Sequence, residues 1–391
     1  MDGLIREAVE RVTGESAEAF DWTESLTTAD QIARVLRSGD GERGADLVFV
    51  TDHVNETVRE LDPDLVALAT SEPRVALGAE LQTVLESPHG SDQYLDAPEV
   101  LLYGGPDRVR SAGGWHYGLS AEILEDIQRS CLPAGSRRVE LHRVLAYCRE
   151  NQIAHAISHP LDGHFVELPQ VLRAISACRF IEAVNGGYGS DSTRRLLRYI
   201  ALHNDTVPSS AGARSGPDGA REPSGGDAAD IARWLAGRLA APGPHEHVAD
   251  GIIPWGGSDA HLGRYDRVCM MYRPPSGPGV PGIAELTRDM LETKTSALLS
   301  DRVFQIEGRG NGLGSVIGEV MRLVIANARR NASTFRGPKK FTRLLLLAPY
   351  LAVAEILRDR RQNLRLGALL DEVLERTSAE RTRPKHESAA A

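Results

Sequence analysis

The 391-residue chain reads as an α/β fold whose strands close into a barrel, followed by a helical extension. Three observations predict this. Short, almost continuous apolar runs alternate with amphipathic stretches, as buried parallel strands alternate with helices. An acid or a histidine stands at the end of strand after strand, the rim on which barrel enzymes build their sites. A hydrophobic content of 41 % over this length supports one large core and a smaller unit beside it. A formal net charge of -9 argues against general nucleic-acid binding. The four cysteines are spread without Cys-x-x-Cys pairing, which indicates neither a disulfide framework nor a zinc ribbon and suits a reducing cytoplasm.

The elements follow in order. Residues 4–12 form a charged amphipathic helix without the apolar core of a signal peptide. Thr28-x-x-Gln31 resembles a capping box opening a second helix through Ile32, Val35 and Leu36. The run 46–51 is a strand ending at Asp52-His53, and 74–80 is a strand ending at Glu80. A third strand covers 99–103, and the loops 86–98 and 104–119 lie around it. A helix over 139–151 feeds the strand 153–158. A helix over 168–177, a strand over 179–185 and a helix over 192–203 follow. The Ser-, Gly-, Pro- and Ala-rich stretch 207–227 reads as a flexible insertion.

The chemistry gathers around Gly256-Gly257-Ser258-Asp259-Ala260-His261, just past the apolar run 252–255. Alternate side chains of an extended chain share a face, so Asp259 and His261 can point at one centre. A carboxylate and an imidazole together make a metal seat. Taken alone, this stretch is equally a turn in which Asp259 caps a helix. Thr51-Asp52-His53, Gly78-Ala79-Glu80 and Ser158-His159-Pro160 tilt the reading toward a shared site.

With Ile181-Glu182-Ala183-Val184-Asn185-Gly186, these motifs resemble, in order and approximate spacing, the PHP (polymerase and histidinol phosphatase) superfamily over roughly residues 1–300. The resemblance implies a distorted barrel of seven strands, two or three divalent metal ions (Mn, Fe or Zn) and phosphoester hydrolysis. Carried over position by position, His53, Glu80, His159, Asp259 and His261 match metal-ligand positions, and Asp52 orients its neighbour. A further ligand comes from Glu99, where the family often has a histidine, or from His89 in the adjacent loop.

The family opens on a His-x-His that is absent near this N-terminus. Either Met1-Asp2-Gly3 corresponds to the stretch just downstream of that motif, or the first strand is 20–24 with its histidines replaced. The one His-x-His, His245-Glu246-His247, precedes its strand and lies roughly 20 Å from Asp259, so it is read as a loop. His155, four residues before His159, is read as an interior residue.

The expected reaction is attack of a metal-activated hydroxide on a small phosphorylated substrate. Asp52 or Asp259 accepts the proton, and Arg264 holds a phosphate or remains a solvated loop charge. His164 and Asn185 are candidate substrate contacts, and Trp115, His116 and Tyr117 either stack on substrate or cover the barrel mouth. Two other readings stand beside this one: a catalytically degenerate scaffold, and a barrel hydrolase acting on a C–N bond.

The barrel is expected over 1–305, a helical region over 306–376 and a disordered tail over 377–391. The glycine-rich 308–314 lacks the Gly-Lys-Ser/Thr of a phosphate loop and reads as a hinge before a helix over 316–329. The apolar run 344–357, flanked by basic residues within 339–361, is too short to span a bilayer. It suits a membrane surface or, more simply, packing against the barrel or a second subunit.

Overall fold

The computed structural model describes residues 28–36, 45–54, 62–86, 94–161, 167–185, 190–207, 223, 227–240, 248–257, 268–274, 282–308 and 363–379, with the isolated helical positions 318, 321, 322, 325, 329, 350, 353, 354, 357 and 361. The expected helix over 4–12, the insertion, the glycine-rich hinge and most of 339–361 lie outside the described residues.

Helix α1 (Ala29–Leu36) opens on a reciprocal capping box. The Thr28 backbone N–H donates to Gln31 Oε1 at 2.8 Å, and the Gln31 N–H donates to Thr28 Oγ1 at 3.3 Å. Strand β1 (Val48–Val54) and helix α2 (Pro63–Ser71) lead into the long strand β2 (Val75–Glu86), which β1 joins in parallel with His53 opposite Glu80. Gly78 lies between its neighbours so tightly that a Cβ would sit 2.3 Å from the Leu102 carbonyl oxygen. That glycine, two residues before Glu80, is a packing requirement.

Strand β3 (Tyr94–Gly104) departs from the expected parallel sheet by running antiparallel to β2. The physical reason is chain length. From Glu86 to Tyr94 there is no room for the dozen or more residues that a parallel crossover needs, so the chain doubles back. The expected loop over 104–119 is also structured, as a hairpin of β4 (Val109–Ser111) and β5 (Gly114–Gly118). His116 is wholly buried in it, with Nε2 2.8 Å from Ser111 Oγ, while Trp115 is 55 % exposed.

Helix α3 (Ala121–Cys131) follows, then the two-residue strand β6 (Val139–Glu140) and helix α4 (Leu141–Glu150). The expected helix start at 139 moves to 141 because the Glu140 carboxylate serves as cap, accepting from the Arg143 N–H at 2.8 Å. The order continues with β7 (Ala154–Ile157), α5 (Leu168–Ser176), β8 (Phe180–Asn185), α6 (Ser190–Thr206), α7 (Ala228–Ala240) and β9 (Ile253–Gly257). Strands β10 (Val268–Tyr272) and β11 (Phe304–Gly308) form a separate antiparallel pair, with α8 (Ile283–Glu292) and α9 (Thr295–Ser300) between them.

The result is a mixed α/β fold with its main sheet curled into a half-barrel, in the order β4-β5-β2-β3-β7-β8-β9, and β1 and β6 also pairing with β2. Alternation along each strand sorts the side chains. Ala79, Leu81, Val100, Leu102, Ile157 and Ile181 face outward into a core shared with α3 to α7. Leu101, Tyr103, Ala156, Phe180 and Trp255 belong to the inner core, which Phe304 of β11 completes. There the Tyr103, Trp255, Phe180 and Phe304 rings lie 5.3–5.6 Å apart in edge-on or tilted contacts, each worth about 1 kcal/mol beyond simple burial.

Helix α10 spans 363–379, so the described helix continues beyond 377, where the disordered tail was expected to begin. Leu370, Val373 and Leu374 enter the outer core, and the Thr377 hydroxyl donates to the Val373 carbonyl at 2.7 Å. Among the described residues, no helix is long and apolar enough to cross a membrane.

Candidate metal centre

Among the described residues, polar side chains of the inner face collect within β2 (Glu80) and β3 (Glu99), just past β7 (Ser158 and His159) and along β8 (Glu182 and Asn185). Register explains the convergence. Glu80 is opposite Leu101, and Leu101 is opposite Ala156, so these positions share a face, and Glu99 joins them two residues before Leu101. The register shifts between Leu81 and Thr83, beside Glu99, marking a bulge of the kind that re-aims a side chain.

His159 requires a different device. As the second residue beyond β7, it would face away from Ala156 and Glu80 if the strand simply continued. Its backbone instead takes a left-handed φ of 21°, uncommon for a residue with a side chain, and the chain turns back toward the acids. The imidazole Nε2 then lies 3.1 Å from Glu80 Oε1 and 3.2 Å from Glu99 Oε2. Ligand atoms of all three residues fall within 4.8 Å of one another.

The electrostatics follow from this packing. Burial alone disfavours a charged imidazole, but Glu80 and Glu99 outweigh it and hold His159 well above the usual imidazole range. A proton on His159 thus offsets the two carboxylates, and a metal ion can take its place. Two donor atoms sharing an ion at about 2.1 Å lie about 3.0–3.4 Å apart, depending on coordination angle. The imidazole-to-carboxylate distances fit that spacing, and a mixed nitrogen and oxygen donor set suits Mn, Fe or Zn.

A third carboxylate, absent from the expected site residues, lies behind the first group. Glu182 on β8 is 2 % exposed. Its Oε2 accepts from the Ser158 hydroxyl at 3.0 Å, the His159 backbone N–H at 3.0 Å and the Asn185 amide at 2.9 Å. Its other oxygen lies against Gly257, where a Cβ would come within 2.1 Å. Sequence offered two signals for it: its place in the motif Ile181-Glu182-Ala183-Val184-Asn185-Gly186, and an acid at the centre of the otherwise apolar run Phe180-Ile181-Glu182-Ala183-Val184. Beneath it Tyr103 is buried, and desolvation, reinforced by the Glu182 charge, pushes its phenol well above the usual range.

Of the expected ligands, the fold brings Glu80, Glu99 and His159 together. Asp52 and His53 lie on β1, where the His53 backbone pairs with Glu80. Asp259 and His261 follow the end of β9 in sequence and lie outside the described residues, as do Arg264, His164 and His89. Asn185, expected to touch substrate, is 1 % exposed with its amide directed at Glu182. His155, expected in the interior, is only half-buried, with Nδ1 2.8 Å from the Ile153 carbonyl oxygen. Comparison with protein-family models, with characterised proteins and with solved structures gives no match for this chain.

Proposed function

We propose that the chain is a metal-dependent phosphoesterase with a distorted barrel of PHP type. One observation carries the reading: two carboxylates and one imidazole converge, nearly buried, at the strand-end rim of a curled sheet. Such a triad is costly to assemble without a cation, because two acids at this distance repel each other in a poorly solvated site. The motifs His53, Asp259 and His261 stand in sequence at the ends of β1 and β9, the neighbours needed to complete a two- or three-ion set.

Divalent ions held there supply a water of lowered pKa and neutralise phosphoryl oxygens. The chain's own residues do the remainder. Glu80, Glu99 and His159 hold one edge of the set. Asp52 or Asp259 accepts the proton released by the attacking water, and Arg264 holds the phosphoryl group under attack while the ester alcohol leaves. Glu182, with Asn185 behind it, acts through the His159 turn instead of on substrate. A reducing cytoplasm suits the four free thiols, and the basic-flanked 339–361 remains the candidate contact for a membrane surface or a second subunit.

The test is turnover. Protein purified without chelator and loaded with Mn²⁺ is assayed on nucleotide, sugar-phosphate and aryl phosphoesters, with amide and amidine substrates in parallel. Phosphoester hydrolysis abolished by EDTA and restored by Mn²⁺ is the expected result. Turnover of only the C–N substrates would replace the reaction assigned here, and metal binding without any turnover would favour the scaffold.

A further inference from the structure

We infer that Glu182 is the positioning residue of the metal centre, a single buried carboxylate that sets the backbone on both sides of it. The inference rests on the proposed metal function and adds a residue outside the ligand set.

Two separate chain segments meet at this side chain. On one side, Oε2 gathers the Ser158 hydroxyl and the His159 backbone N–H. The hydrogen bond to the His159 N–H fixes the peptide at the residue whose left-handed φ aims the imidazole. On the other side, Oε1 presses on Gly257, the last residue of β9, two positions before Asp259. Glu182 and Trp255 are register partners, and the β8–β9 ladder shifts just beyond them, where the two strands carry Asn185 and Gly257. A carboxylate can accept several hydrogen bonds at once, which no apolar side chain at this buried position can do. The glycine at 257 is explained by the same contact: no other residue leaves room for the carboxylate.

Mere stabilisation of the sheet would require none of this, because an aliphatic residue can fill a buried strand position without these hydrogen bonds. Outer groups that orient metal ligands typically change affinity by about 10- to 100-fold when removed. The described partners of Oε2 are donors, so Glu182→Gln retains one oxygen for them, while Glu182→Ala leaves the Ser158 and His159 donors without it. Gly257→Ala perturbs the same carboxylate from the other side without altering any polar group.

The experiment measures Mn²⁺ affinity of the full chain by calorimetry alongside the unfolding midpoint of the metal-free protein. Wild type is expected to bind Mn²⁺. Glu182→Ala and Gly257→Ala are expected to bind at least about tenfold more weakly, and Glu182→Gln within about threefold of wild type. Glu182→Gln and Gly257→Ala keep the test decisive if Glu182→Ala fails to fold. Wild-type affinity in Gly257→Ala, or a loss of about tenfold or more in Glu182→Gln, would overturn the positioning role and leave the metal function standing, whether or not Glu182→Ala folds. Absence of Mn²⁺ binding in wild type would overturn both.

Discussion

His159 and His203 are both buried, and the molecule treats them in opposite ways. At the strand-end rim, His159 faces Glu80 and Glu99, and its imidazole is held well above its ordinary range despite burial. In the helical layer, His203 of α6 is 0 % exposed and stacks on Tyr199, with neither ring nitrogen hydrogen-bonded among the described residues. Desolvation, with the nearby Arg238 adding to it, pushes His203 down to about 4. Burial of an ionisable group therefore does not mark a site. Convergence of opposite charge on it does, because only the first arrangement creates a seat that a cation can occupy.

The largest expected effect comes from dismantling that seat. Glu80→Gln or Glu99→Gln should weaken Mn²⁺ binding more than about 100-fold, beyond what an outer-group change produces. His159→Ala should additionally destabilise the metal-free chain by about 3 kcal/mol, since two nearly buried carboxylates then lose their counter-charge. Equilibrium denaturation in EDTA reads the second effect, and an unchanged midpoint would remove the electrostatic reading of the rim.

A smaller effect separates the two histidines by pH. The folded pKa of His203 lies below the unfolded value, so the unfolded chain takes up the extra proton as pH falls from about 6.5 toward 4. Stability should drop by about 2 kcal/mol between pH 7.5 and 5 from this group, and His203→Leu should flatten that limb. His159 has the opposite sign. With its folded pKa raised, its contribution is complete below about 6.5 and lost as pH rises through the folded value in metal-free protein. Denaturation of both variants across pH 5 to 9 in EDTA should remove opposite limbs of the profile. Loss of the same limb in both would refute the contrast.

The smallest effect belongs to a charged contact between α6 and α10. Asp371 on α10 accepts from Arg195 Nε at 2.8 Å and Arg198 Nη1 at 3.0 Å, and the Arg198 side of that contact is open to solvent. Asp371→Ala should cost about 1 kcal/mol or less and leave Mn²⁺ affinity unchanged.

Much of this architecture was legible before the fold. The capping box at Thr28 and Gln31 is a local code, and the apolar runs ending in Glu80, Ser158-His159 and Asn185 mark strands because burial on both faces leaves no polar alternation. What escaped depends on partners distant in sequence. The reversal of β3 follows from a short connection, but its register, which carries Glu99 to the rim, is set by the bulge against β2. His116 looked like a loop residue because a three-residue strand beside it has no periodicity to read. Glu182 resembles a stray acid until Ser158, His159 and Gly257 arrive from other strands. Leu370 and Val373 fall in the region read as helical, with no hint that they enter the outer core of the half-barrel.

The most direct measurement is the metal content of the chain purified without chelator, by inductively coupled plasma mass spectrometry, with His159→Ala beside it. At least one equivalent of Mn, Fe or Zn in wild type, sharply reduced in the variant, is expected. A wild-type ratio near zero, persisting after incubation with Mn²⁺, would mean that the rim is a buried ionic network of His159, Glu80 and Glu99 without a metal.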